Sequence, residues 1–130
     1  MAVAGRALLI EGPSGSGKSS LALEMMARGA DLISDDQTLL TRQGNRLVAD
    51  APTAIRGLIE ARGLGLLKVE PAGPSPVIAL LDLAHPETDR LPPIRKIVVL
   101  SIPLILFNNS LSPYLAAGLV QFLKGNLHGL

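Results

Sequence analysis

The chain has 130 residues, enough for one domain with a single core. Hydrophobic residues make up 48% but aromatics only 2%, so the core must be built from Leu, Ile, Val and Ala. Twelve basic and eleven acidic residues leave a formal charge of +1, with no basic stripe interleaved with aromatics. That pattern argues against a nucleic-acid partner, and the absence of cysteine excludes disulfides and thiolate metal ligands.

In chain order, Arg6–Glu11 reads as a short buried strand, and no signal-peptide pattern is expected before it. Gly12-Pro13-Ser14-Gly15-Ser16-Gly17-Lys18-Ser19 then meets every fixed position of the phosphate-binding P-loop pattern. Its glycines let successive backbone N–H groups turn inward onto an anion. Lys18 adds a point charge for the β- and γ-phosphates, and Ser19 offers a hydroxyl to Mg²⁺. Ser20–Arg28 reads as a helix whose N-terminus faces the same phosphates, with Ser20 at its start and Gly29 as its C-cap. This strand–loop–helix predicts binding of a nucleoside triphosphate, ATP by expectation, and ATP use in turn suggests a cytoplasmic location.

Asp31–Asp36 reads as a short strand ending in two acids, and alternation would send Asp35 and Asp36 to opposite sides. Thr38–Arg42 and Arg46–Ala49 form an expected hairpin around Gln43-Gly44-Asn45, giving the sheet antiparallel character. A short helix over Thr53–Leu58 and a strand over Leu64–Val69 follow. Glu60-Ala61-Arg62-Gly63-Leu64-Gly65 places an acid and a base beside two glycines, which suits either a phosphate or metal contact or a surface ion pair. Glu70–Pro76 is a Pro/Gly-rich loop, and Val77–Leu83 is an apolar strand carrying Asp82 near its end. Phosphoryl transfer needs acids for Mg²⁺ and for the acceptor's proton. On residues alone the metal role stays open between Asp82 and the Asp35–Asp36 pair.

His85–Pro93 is polar and expected at the surface, as is His128. Ile97–Ile102 reads as one more strand. The apolar run Ile97–Phe107 is too short to span a bilayer, and Pro103 interrupts it, so no membrane association is expected. Tyr114–Leu127 has helical periodicity, with Leu115, Leu119, Phe122 and Leu123 near one face, suited to the core or to an intersubunit surface.

Several motifs, taken together and in this order, resemble the C-terminal catalytic domain of HPr kinase/phosphorylase, in its short proteobacterial form. They are the P-loop at 12–19, Arg28-Gly29 followed by Asp35-Asp36, Ile59-Glu-Ala-Arg-Gly-Leu-Gly65, and Asp89-Arg90-Leu91. The resemblance implies a single α/β domain over residues 1–130: a P-loop kinase with a mixed sheet, HPr kinase/PEP carboxykinase-like. It implies ATP- and Mg²⁺-dependent phosphorylation of a serine on HPr, or on a nitrogen-type homologue, within the regulation of the sugar phosphotransferase system. By resemblance, Asp36 with Asp35 beside it is the proton acceptor, Glu60 is a Mg²⁺ ligand with Ser19, and Arg90 is catalytic. Asp82 then falls to a structural role. A homohexamer is implied too. The chain departs from the family pattern in three places, the first being that a family histidine upstream of the first strand has no counterpart here. Ser20 stands where an acid usually follows the P-loop Ser. Pro103–Asn109 lacks the Gly and Arg of the segment tied to dephosphorylation, which bears on the reverse reaction. Two other readings share the P-loop: a small-molecule kinase, although no Arg-rich lid is visible, and a nucleotide-binding regulatory module with little transferase activity.

Overall fold

The computed structural model describes residues 1–130. Strands are β1 (Ala2–Val3), β2 (Arg6–Glu11), β3 (Leu39–Gln43), β4 (Arg46–Asp50), β5 (Leu58–Ala61), β6 (Gly65–Lys68), β7 (Ser75–Pro86), β8 (Arg95–Val99) and β9 (Ile102–Asn109). Helices are α1 (Lys18–Ala27) and α2 (Leu115–Gly125).

The longest strand, β7, organises a seven-stranded mixed sheet. It runs parallel to β2 and to β9, and its first residues pair antiparallel with β4 of the β3–β4 hairpin. The mixed α/β architecture expected from the sequence is present. A register shift lets Ala7 face Val77 and Leu8 face Ala79, leaving Ile78 as a bulge. The extra residue re-aims the side chains. Leu8, Ala79 and Leu81 then share a sixteen-residue cluster with Leu21 and Met25 of α1 and Leu119, Val120 and Leu123 of α2. Ala7, Val77 and Leu80 join a second cluster of nine, with Leu47, Ala49, Ile102 and Leu104.

Helix α2 is therefore a core element, with five of its residues buried, and not an exposed apolar surface. Its C-terminal carbonyls receive Arg6, whose Nη1 donates to Leu123 O at 2.8 Å while its guanidinium lies 6.0 Å from the Phe122 ring centre. No helix is long and apolar enough to cross a membrane.

Three local expectations are corrected. Asp31–Asp36 is no strand: Asp31 and Leu32 make isolated bridges to Ala2 and Pro71, and the chain then turns. Asp36 sits at φ 65° and the Ser34 hydroxyl bonds the Gln37 carbonyl, a local side-chain bond that competes with ladder pairing. The helix expected over Thr53–Leu58 shrinks to a single 3₁₀ turn, Thr53–Ile55, because Gly57 at φ 73° redirects the chain into β5. The strand expected at Ile97–Ile102 is a hairpin, β8 against β9, turning at Leu100 and Ser101 with φ 47° and 66°. Positive φ at both central positions matches the tight hairpin turns that suit twisted strands.

Candidate active site

The end of β2 feeds directly into residues 12–17, and Gly17, at φ 95°, is the N-cap of α1. No side chain caps this helix, so its first N–H groups are free to meet an anion. Gly12 has no room for a side chain: a Cβ there would lie 2.7 Å from Ser16 Oγ and 3.1 Å from Leu83 Cβ. Ser16 Oγ is itself buried without a hydrogen-bond partner, and the Ser16 N–H closes the turn onto Pro13 O at 3.1 Å. Lys18 Nζ donates to Gly12 O at 2.9 Å, which folds the ammonium group back over the loop.

A cleft of about 560 Å³ opens against this loop. Ser14, Gly15, Gly17, Lys18, Ser19 and Ser20 form one wall. Asp35, Asp36, Glu60 and Arg62 bring carboxylates and a guanidinium to the same space. The central connection is Asp35. Its Oδ1 accepts from Ser19 Oγ at 2.9 Å, and its Oδ2 accepts from the Glu60 backbone N–H at 3.1 Å. One half-buried carboxylate thus ties the start of α1 to β5.

Asp36 is exposed and, besides lining this cleft, borders a second chamber of about 210 Å³. Lys18, Asp35 and Asp36 line both spaces. The two acids are divided by a turn, not by strand alternation.

Glu60 and Arg62 stand two residues apart across the end of β5 and form no ion pair with each other, which corrects the surface-pair alternative. Both are aimed at the cleft instead. The oxygen set of Ser19, Asp35 and Glu60 is hard and suits Mg²⁺. No group of three or more His, Cys, Asp or Glu could hold a metal by itself. Mg²⁺ characteristically relies on one or two carboxylates plus substrate phosphates, so this donor set fits it.

The rival acid Asp82 faces Glu11 across the β2–β7 pairing but lines neither space. The His85 ring and the Ala84 N–H hold its carboxyl below the ordinary aspartate range. Arg90 is not brought to the cleft. It lies in the exposed turn after Glu87, a turn fixed by the Glu87 carboxylate on Arg95 and on the N–H groups of Thr88 and Asp89. Pro103–Asn109 lies within the continuous strand β9.

Sequence reasoning missed the apolar lining of the cleft, Leu23, Ile55, Leu58 and Leu66, the last paired across β5–β6 with Glu60. The available signal was the spacing of Ile55 and Leu58 around Gly57, in a segment read as a helix.

Comparison with known proteins agrees with this architecture. The family model described as HPr Serine kinase C-terminal domain matches residues 1–73. The chain is similar to the HPr kinase/phosphorylase of Mycoplasmopsis pulmonis, 46% identical over 69 residues, which is 53% of this chain and 22% of the relative. It is also similar to that of Bordetella pertussis, 44% identical over 68 residues, 52% of this chain and 22% of the relative. The matched stretch thus spans about a fifth of these curated relatives. The solved structure of the Hpr(Ser) kinase/phosphatase from Coxiella burnetii superposes with a TM-score of 0.73 at 30% identity, covering 90% of this chain and 87% of that one.

Proposed function

This chain belongs to the HPr Serine kinase C-terminal domain family, and from that premise we propose that it transfers the γ-phosphoryl group of ATP to a serine of an HPr-type phosphocarrier protein. The observation that carries the reading is the Asp35 carboxylate. By bonding Ser19 and Glu60 together it sets the P-loop helix, an exposed Asp36 and a metal-suited oxygen pair around one cleft.

In this mechanism the N–H groups of residues 13–19 and Lys18 hold the phosphates. Ser19 and Glu60 would hold Mg²⁺, which when bound would supply positive charge to offset that of the phosphates. Asp36 accepts the serine hydroxyl proton as the serine oxygen bonds to the γ-phosphorus. The bond from that phosphorus to the bridging oxygen breaks, and ADP leaves. Lys18 and Arg62, the two cationic side chains of the cleft, offset the developing charge. Arg90 is assigned no step within the single chain. We assign the forward direction only, because β9 carries neither the Gly nor the Arg of the dephosphorylation segment. A cytoplasmic homohexamer belongs to the same proposal.

The test is incubation with γ-labelled ATP, Mg²⁺ and purified HPr. Label on an HPr serine supports the reading, whereas ATP binding with no transfer to HPr overturns it. The latter outcome favours a nucleotide-binding regulatory module, a second reading that the position of Arg90 outside the cleft supports.

A further inference from the structure

Strand β8 is an open margin of the main sheet: it pairs with β9 on one side and with nothing on the other. The other margins differ. β1 is closed by backbone bonds between Ala2 and Asp31, and β3 runs into polar Thr41-Arg42-Gln43. β8 instead carries the β-branched run Ile97-Val98-Val99, with Val98 66% exposed. Register fixes which backbone groups face outward. The turn at Leu100 and Ser101 makes Val99 and Ile102 a hydrogen-bonded pair, as two-residue hairpin loops do. The next pair, Val98 and Pro103, is then non-hydrogen-bonded, which agrees with the missing N–H of Pro103. Lys96 and Val98 therefore turn their N–H and C=O groups away from β9, and these groups have no backbone partner. Their side chains share one face, while Ile97 and Val99 pack on the second hydrophobic cluster from the other.

We propose that β8 pairs antiparallel with β8 of a second copy of this chain, about a two-fold axis at Ile97, so that two sheets join into one. The charge pattern selects both occupant and register. Outward-facing groups meet in antiparallel self-pairing only when the axis falls at Lys96, Ile97 or Val98. An axis at Lys96 sets the two lysines directly opposite each other, and opposed like charges are destabilising. An axis at Val98 sets Lys96 against Leu100, which belongs to the left-handed turn, and leaves only the Val98 pair to bond. The axis at Ile97 places each Lys96 opposite Val98 of the other copy. Both outward residues are then bonded, the lysine stem covers the exposed valine, and no like charges meet. Arg95 faces Val99 of the other copy, its own charge taken by Glu87. A contact of β8 with itself closes after two copies, whereas a contact with a different edge propagates. The inference stands apart from the phosphoryl-transfer reading and supplies a two-fold contact for the proposed homohexamer.

The chain holds no cysteine, so one introduced thiol reports the contact without background. Residues facing each other in a non-hydrogen-bonded antiparallel pair have Cα atoms ~4.5 Å apart, within disulfide reach. In the full chain, Ile97→Cys is therefore expected to form a covalent dimer under mild oxidation. Lys96→Cys, whose counterpart is Val98, is expected to form far less. Sedimentation over a wide concentration range supplies the second measure. Val98→Lys sets lysines opposite each other and is expected to weaken self-association at least about tenfold with an unchanged urea midpoint, since Val98 lies at the surface. Adding Lys96→Glu restores opposite charges across the contact and is expected to recover most of the wild-type association. Three results each overturn the inference: a wild-type chain that stays monomeric at the highest concentration reached, equal cross-linking of the two cysteine variants, or a double variant as weak as Val98→Lys alone. If Val98→Lys fails to fold, the cysteine comparison decides by itself.

Discussion

Asp35 and Ser19 are sixteen residues apart in sequence and joined by a 2.9 Å hydrogen bond, with the remaining oxygen of the carboxylate taken by the Glu60 N–H. Asp35→Ala removes the acceptor for both donors at once. The Ser19 bond is partly buried and the Glu60 N–H is open to water, so the net worth of a typical hydrogen bond, about 0.5–1.5 kcal/mol, sets the scale. We expect a loss of that order in urea-denaturation stability, together with at least tenfold weaker Mg²⁺-dependent ATP binding. A variant of normal stability and normal ATP affinity would show that the tie holds nothing in place.

Lys18 makes one bond within the chain, to the Gly12 carbonyl, so its loss should spare the fold. Lys18→Ala is expected to keep its denaturation midpoint within experimental error and to lose at least a hundredfold in phosphoryl transfer. The loss follows from removing a charge aimed at the transferring group. Side-by-side stability and single-turnover measurements check both halves, and retention of more than half of the transfer rate contradicts the role.

Asp36→Asn keeps the side chain's size and its exposed position while removing the basic oxygen. Positioned general bases contribute about 10²–10⁴-fold. The variant should bind ATP with near-normal affinity and show kcat reduced within that range. A normal kcat moves the base to another residue, Asp35 being next in reach.

The strand–loop–helix over Arg6–Ala27 was legible because a short apolar run, a glycine-spaced loop and a helical segment follow one another in the sequence. The β3–β4 hairpin was legible from local turn chemistry, since Gln43-Gly44-Asn45 advertises a turn. The β8–β9 hairpin was hidden because Leu100 and Ser101 adopt left-handed conformations with no glycine to mark them. Asp31–Asp36 misled because alternation carries no information about whether a ladder partner exists, and here a serine-anchored turn took the place of one. The joining of Asp35 to the Glu60 backbone depends on the β5–β6 hairpin folding back over α1. Such a long-range contact has no local signature. The burial of α2 was equally undecidable from periodicity, since an apolar stripe fits a core or a partner alike.

Acid stability follows from the turn that carries Arg90. Glu87 has its carboxyl held below the ordinary glutamate range, first by the Asp89 N–H and then by Arg95 and the Thr88 N–H. A carboxylate whose folded pKa is depressed stabilises the fold fully above its unfolded value, about 4.3. That contribution is lost as pH falls through the lower folded value. The urea midpoint of the wild-type chain should therefore fall on acidification below about pH 5. Glu87→Gln cannot titrate, so it should start lower at pH 7, decline less steeply and converge on the wild-type curve at low pH. A residual slope is expected in the variant, because Asp50 beside Arg56 and Asp82 beside His85 are shifted in the same direction. Two curves that stay parallel from pH 7 to pH 3 would mean that Glu87 has the same affinity for protons folded and unfolded. In that case its bonds to Asp89 and Arg95 do not steady the turn.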